Sequence, residues 1–283
     1  MSKRLIINAD DLGLTPGVNR GILYTHLNGI LTSTTAMVNV PDAEVGIQRL
    51  QAEAPALGIG LHLILSHGKP ILPAEQVPSL VTTDGEFVSK FVSLFERIER
   101  FQPDDIAAEL NAQFERFVAI AGRKPDHLDG HHHLVYTIPA ALDVLLQLAR
   151  EHQLPMRNGS AFVSRDRWRR LAAEQGRSES DADTVSAALE AVYAAHPPPR
   201  WTDHFESRFY DTGVTRDNLM DILINLPDGV TEIMCHPGFP EDIPSGYAAP
   251  RRAEIELLID PAIAALVAEQ QIKLITFAGL ELI

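Results

Sequence analysis

The chain has 283 residues, 45% of them hydrophobic and 22% charged, and carries a formal net charge of −14 at pH 7. That balance argues against a nucleic-acid or anionic-membrane partner, because phosphates demand a basic face, and suits a neutral small molecule better than a polyanion. A single cysteine, Cys235, excludes an intrachain disulfide framework. The N-terminal MSKRLIINADD has too short an apolar run for a signal peptide, and no segment reaches the ~18 apolar residues of a membrane span, so the expected location is cytoplasmic.

In chain order, Leu5–Ala9 reads as a strand covered on both faces, and it runs directly into two adjacent carboxylates, Asp10 and Asp11. Like charges this close disfavour joint ionisation unless a cation or a shared proton lies between them. Thr15 followed by Pro16 reads as an N-cap with proline at the first helical position and opens a helix to about His26. Thr34–Val40 and Gly58–Leu65 read as further buried strands, the second holding His62 within GIGLHLIL. Helical spacing covers Phe87–Arg100 and Asp104–Ala121. Strand Pro125–Asp129 then leads into HLDGHHH, which sets Asp129, His131, His132 and His133 together ahead of a helix over Pro139–Gln153.

Two further strands are expected near Met156 and Phe205. Between them, residues 160–200 break the rhythm with RDRWRRLAAEQGRSESDAD and HPPPR, and read as a mostly helical surface insertion rather than a second domain. Val230–Cys235 is a strand that ends at His236 in EIMCHPG; Asp260-Pro261 repeats the cap-and-proline device before AIAALVAEQQ; Lys273–Phe277 is the last strand.

Strands alternating with helices imply a parallel sheet wound with helices. The expected architecture is one α/β domain over residues 1–283, an irregular or incomplete (β/α) TIM-like barrel rather than a regular eight-fold one. In a parallel barrel all the C-terminal strand ends share one face, and here four strands end in Asp or His. Each has an ordinary explanation alone: a turn-forming Asp pair, a hydrogen-bonded core histidine at His62, a solvated histidine loop, a strand-terminating His236. Their coincidence at one mouth is what a divalent metal needs, with ionised carboxylate and neutral imidazole as donors. His26, His67, His152 and His204 fall outside the ligand set, and His127, on the strand itself, reads as a supporting or core residue.

NADDLG, GLHL, HLDGHHH and HPG, in this order and over nearly the full length, resemble the YdjC-like carbohydrate deacetylases, also known as the ChbG–HpnK family. PRRAEIELLIDPAIAALVAEQQIKLITF is similar to that family's C-terminal segment, with Arg251 and Glu254 at its characteristic positions, while Leu12 stands where the usual form has Phe. The resemblance implies a barrel of the polysaccharide-deacetylase type. It also implies hydrolysis of the N-acetyl group of a sugar such as a chito-oligosaccharide, with release of acetate and a free amine, and a homodimer. It further implies a metal site of Asp11, His62 and His131. In an extended segment successive side chains alternate faces, which turns His131 and His133 inward together and His132 away; of the two, the resemblance favours His131 as the ligand, with His133 a substrate-contacting neighbour.

On this reading Asp10 is the general base and His236, with a pKa near neutrality, the general acid. Arg251 orients a carboxylate such as Asp10, and Asp129 supports the site. One carboxylate and two imidazoles favour zinc, with manganese, cobalt, nickel or magnesium as alternatives. Competing readings are a metal-dependent amidohydrolase or phosphoesterase, and a sugar-binding protein that keeps the fold without catalysis. A Cys235–His236 thiol dyad is set aside because strand neighbours face opposite ways. Trp201 and Tyr210 are either sugar-stacking or core residues.

Overall fold

The computed structural model describes residues 2–89, 92–197, 200–243 and 246–280. Its central strand, β1 (Lys3–Leu12), is buried from Leu5 to Leu12, as a continuous Leu-Ile run covered on both faces requires. Around it lie β2 (Ser33–Ala36), β3 (Gly58–Leu63), β4 (Leu128–Gly130), β5 (His204–Glu206), β6 (Gly229–Cys235) and β7 (Lys273–Leu274), paired in the order β4-β3-β2-β1-β6-β5. Every pairing is parallel. One edge of β1 is shared, with β7 beside Arg4 and Leu5 and β2 beside Asn8 to Leu12. Met156 forms single parallel bridges to Leu128 of β4 and to Trp201, just ahead of β5. These bridges bring the two edges of the curled sheet together, so the architecture is the irregular barrel expected.

The helices lie between the strands: α1 (Pro16–Asn28), α2 (Ala43–Glu53), α3 (Leu94–Arg100), α4 (Pro103–Ala121), α5 (Pro139–His152), α6 (Arg165–Glu174), α7 (Glu179–Ala195), α8 (Arg216–Ile224), α9 (Ala248–Leu258) and α10 (Pro261–Glu269). The two cap-and-proline starts form as the sequence implies: Thr15 accepts from the Val18 N–H, and Asp260 accepts from the Ala262 N–H. Within the 160–200 stretch, α6 packs on α7 and α7 on α5; residues 198–199 of HPPPR lie outside the described residues. No helix among the described residues is long and apolar enough to cross a membrane.

Three readings need correction. The last strand, expected over Lys273–Phe277, is only Lys273–Leu274, and Phe277 opens a 3₁₀ turn. Phe87–Arg100 is helical only from Leu94; Val81 and Phe87 instead pair antiparallel across a turn at Asp84-Gly85, where Gly85 takes φ +72°, the conformation a Asp-Gly turn favours. Residues 90–91 of that stretch lie outside the described residues. Strand Thr34–Val40 stops at Ala36, because beyond it the backbone turns towards α2. The loop after β3 is tied down by Glu109 of α4, whose carboxylate accepts from the N–H groups of Ile71 and Leu72.

Candidate metal centre and catalytic cavity

Adjacent strand residues point to opposite faces, so Asp10 and Asp11 would diverge on a regular strand. They do not, because β1 carries a bulge here. Ala9 is level with Thr34 and Leu12 with Ala36, so two residues of β1 oppose one of β2. Asp11 takes the left-handed conformation, φ 72°, which Asp tolerates better than most residues. Both carboxylates line one cavity of about 690 Å³, a volume typical of small-ligand sites.

His62 and Asp129 are register partners on β3 and β4. Asp129 Oδ1 lies 2.6 Å from His62 Nδ1, which fixes the ring and turns Nε2 towards Asp11 Oδ1 at 3.5 Å. His131 Nδ1 approaches the same oxygen at 3.1 Å. Asp11 Oδ1 is buried with no hydrogen-bond partner. Ligand atoms of Asp11, His62 and His131 all fall within 4.8 Å of one another. A buried carboxylate oxygen facing two imidazole nitrogens fits a divalent cation, and one carboxylate with two imidazoles is among the donor sets that metal sites with open positions use.

The other oxygen of Asp11 accepts from Arg251 Nη2. Burial pushes the Asp11 carboxyl up, but Arg251 and then His131 outweigh it and hold the group well below the usual carboxylate range. His62 is pushed down by burial and up more strongly by Asp129, Asp10 and Asp11, to about 9. Three buried carboxylates, Asp10, Asp11 and Asp129, face two guanidiniums, so the cluster retains an unbalanced negative charge. A proton on His62 compensates it; a divalent ion held by these residues would do the same.

A second group, Asp10, His62 and Asp129, also has metal-ligand spacing. Its charge is already met by Arg157, which is fully buried. Arg157 Nη1 donates to Asp10 Oδ2 at 2.9 Å and Nη2 to Asp10 Oδ1 at 2.6 Å. The same Nη2 reaches Asp129 at 2.9 Å, and Nε donates to Glu232 at 2.7 Å. Asn8 adds a bond to Asp10 Oδ1 at 2.9 Å. Burial raises Asp10, but Arg157 first among several neighbours takes its carboxyl far below the ordinary value, so Asp10 is ionised. Arg251, expected on a carboxylate such as Asp10, holds Asp11 instead; the guanidinium on Asp10 is Arg157.

Glu232, sharing that guanidinium with two other carboxylates, is pushed by burial up to about 7 from 4.5. Between those values the native state keeps a proton that the unfolded chain has lost, so stability falls as pH rises through that window and the dependence vanishes above it. Glu232→Gln, which still offers Arg157 Nε an acceptor, is expected to flatten this limb. Urea unfolding at about pH 5 and about pH 8 reads it as a smaller stability difference than in the wild type.

The triple histidine departs from expectation. His131–Tyr136 is a 3₁₀ turn rather than an extended segment, with His132 and His133 both left-handed at φ 53° and 58°. Strand alternation therefore does not apply, and all three imidazoles line the cavity. His132 Nδ1 meets Ser66 Oγ at 2.9 Å. His133 stacks on Phe162 at 4.6 Å, and burial, followed by Arg157, takes it down to about 3. Two consecutive non-glycine residues in this region cost roughly 1–3 kcal/mol each, a cost sustained by the packing around the site.

His236 leaves the end of β6 and lines the cavity opposite this turn in sequence. Its backbone N–H donates to Glu254, and its carbonyl accepts from Arg251 at 3.2 Å. The following Pro-Gly lies directly on α1: a Cβ on Gly21 would sit 2.6 Å from the Gly238 Cα, so this close approach needs glycine. His236 Nδ1 is buried without a partner. Burial takes the ring down to about 4 despite Asp11 and Asp10, so it is neutral at pH 7 rather than poised near neutrality.

Among the other histidines, His127 is a core residue, stacked on Phe277 at 3.7 Å. His26 meets the Leu31 carbonyl, and His152 stacks on Phe114. His67, assigned to a loop outside the ligand set, lines the cavity with its ring 5.9 Å from that of His131. Tyr210 lines the cavity as well, whereas Trp201 packs on Tyr193 away from it. Sequence reasoning missed Arg157, Glu232, Asn8 and Tyr247. A lone Glu inside the apolar strand GVTEIMC is the signal that could have been followed, since a buried charge requires a partner.

Fold and cluster together define a parallel α/β barrel with a buried carboxylate–imidazole cluster that could hold a metal ion at the C-terminal ends of its strands. Residues 4–269 match the family described as YdjC-like protein, and the chain belongs to that family. It is 35% identical to a carbohydrate deacetylase of Enterococcus faecalis, covering 99% of this chain and 98% of that one. It is likewise 35% identical to a chitooligosaccharide deacetylase of Yersinia enterocolitica, covering 93% of both. A crystal structure from Enterococcus faecalis, of a protein described as a candidate cellobiose-phosphate cleavage protein, superposes with a TM-score of 0.80 at 34% identity over 98% of each chain.

Proposed function

We propose that this chain is a metal-dependent carbohydrate N-deacetylase, cleaving the N-acetyl amide of a chito-oligosaccharide-like sugar to acetate and a free amine. The observation that carries this reading is the unpartnered, buried Asp11 Oδ1 facing His62 Nε2 and His131 Nδ1. The relatives named as deacetylases over nearly the whole length support the same substrate class. Asp11, His62 and His131 would hold the ion, and two imidazoles with one carboxylate favour zinc over the oxygen-preferring magnesium. A divalent ion there supplies a Lewis acid for the acetyl carbonyl and lowers the pKa of water.

The chain's own groups do the rest. Asp10, ionised and held at both oxygens by Arg157, accepts the proton of the attacking water, and its fixed orientation removes the cost of aligning it. An amine departs only once protonated, so a proton must reach the nitrogen. His236 is neutral at the start; it takes a proton from solvent at Nδ1, which no protein group occupies, and delivers it to the nitrogen, while Asp10 returns the proton of the attacking water to solvent. The proton gained by Asp10 balances the one His236 gives away. Arg251 fixes Asp11 and the His236 carbonyl together, which couples the metal ligand to the acid.

Acetate release from a panel of N-acetylated sugars, with chelated and metal-reloaded protein, tests the proposal. Release is expected only after reloading. A reloaded protein that binds these sugars and frees no acetate would be a binding protein on a deacetylase fold.

A further inference from the structure

Tyr210 differs from the other aromatic rings of the cavity in having an open face. It is 45% exposed. One face stacks on Tyr247 at 4.8 Å and 19°, and the only other ring contact among the described residues is His236 at 5.4 Å, steeply inclined. Phe162 is by contrast covered, by His133 at 4.6 Å, Tyr136 at 5.6 Å and the Arg167 guanidinium at 5.1 Å. Tyr247 is anchored: its hydroxyl donates to Glu254 at 2.8 Å and accepts from the Asp211 N–H at 3.1 Å. Glu254 in turn holds the His236 backbone. An exposed aromatic surface is thus braced by the same carboxylate that positions His236.

We propose that the pyranose ring bearing the scissile acetamido group stacks on the open face of Tyr210. The C–H-bearing face of a pyranose is apolar and suits the face of an aromatic ring, and the phenol's polar edge stays in water. The Tyr210 and His236 ring centroids are 5.4 Å apart, about the span of one sugar residue, so a ring on Tyr210 lies beside His236 and presents its own substituent to it. A ring further along a chain would lie beyond it. The inference rests on the deacetylase reading and deepens it. An N-acetylated monosaccharide uses this platform as fully as an oligosaccharide does, and any chain-length preference arises elsewhere.

The test compares wild type, Tyr210→Ala and Tyr210→Phe, all metal-loaded, by acetate release from N-acetylglucosamine and from N,N′-diacetylchitobiose. Tyr210→Ala is expected to raise KM about 3- to 10-fold for both sugars by the same factor, with kcat little changed, and Tyr210→Phe to restore it. Tyr210→Ala also loses the stack on Tyr247, so its unfolding midpoint should fall only modestly and the variant stay folded at the assay temperature. An active wild type with KM unchanged in Tyr210→Ala overturns the proposal alone, as does an effect confined to the disaccharide. A wild type that releases acetate from neither sugar overturns the deacetylase reading and this proposal with it.

Discussion

Asp10→Asn is expected to lower kcat by about 10²–10⁴-fold, the range over which a positioned general base contributes, while KM and metal content stay close to wild type. The amide matches the carboxylate in shape but cannot take a proton from water. Arg157 would still hold the side chain through its oxygen, so geometry survives in part. Asp11, His62 and His131 are untouched, so metal uptake should persist. Acetate release read beside metal analysis of the same preparation separates these effects. Turnover within about tenfold of wild type would assign the base elsewhere, because loss of a base cannot be that mild.

Asp11→Asn should have the second largest effect. Asparagine is the other residue that visits the left-handed region readily, so the bulge can form and the fold should survive. What disappears is the one charged group of the proposed ligand set. Loss of an outer partner alone costs about 10–100-fold in metal affinity, so loss of a ligand's charge is expected to cost at least about 100-fold. Acetate release should then fall to the level of the chelated wild type. Arg251 also loses its buried counter-charge, which should lower the unfolding midpoint. Metal titration by calorimetry checks the first effect, and thermal unfolding the second.

The apolar runs revealed most of the barrel because buried parallel strands are continuous in hydrophobicity. β5 was faint for the converse reason, being three residues long and partly exposed. α2 was silent: AEVGIQRLQAE is short and interrupted by Gly46. The convergence of the strand-end Asp and His residues was legible because strand ends share a face, whereas the choice of Asp11, His62 and His131 among them rested on the family resemblance. The bulge that allows Asp10 and Asp11 to converge together was not legible, since it is set by pairing with β2 rather than by local preference. The left-handed pair His132–His133 was hidden in the same way, as nothing in HHH distinguishes a strand end from a 3₁₀ turn. Arg157 is the largest omission. In LPMRNG an arginine reads as surface, and its partners Asp10, Asp129 and Glu232 come from three distant segments. The polar network is a product of topology.

Locating a bound metal by anomalous diffraction from crystals of the reloaded wild-type protein tests the central claim most directly. The account predicts one ion ligated by Asp11, His62 and His131, with Arg157 still between Asp10 and Asp129. An ion held by Asp10, His62 and Asp129 instead, or none bound at the Asp11 oxygen, would contradict it.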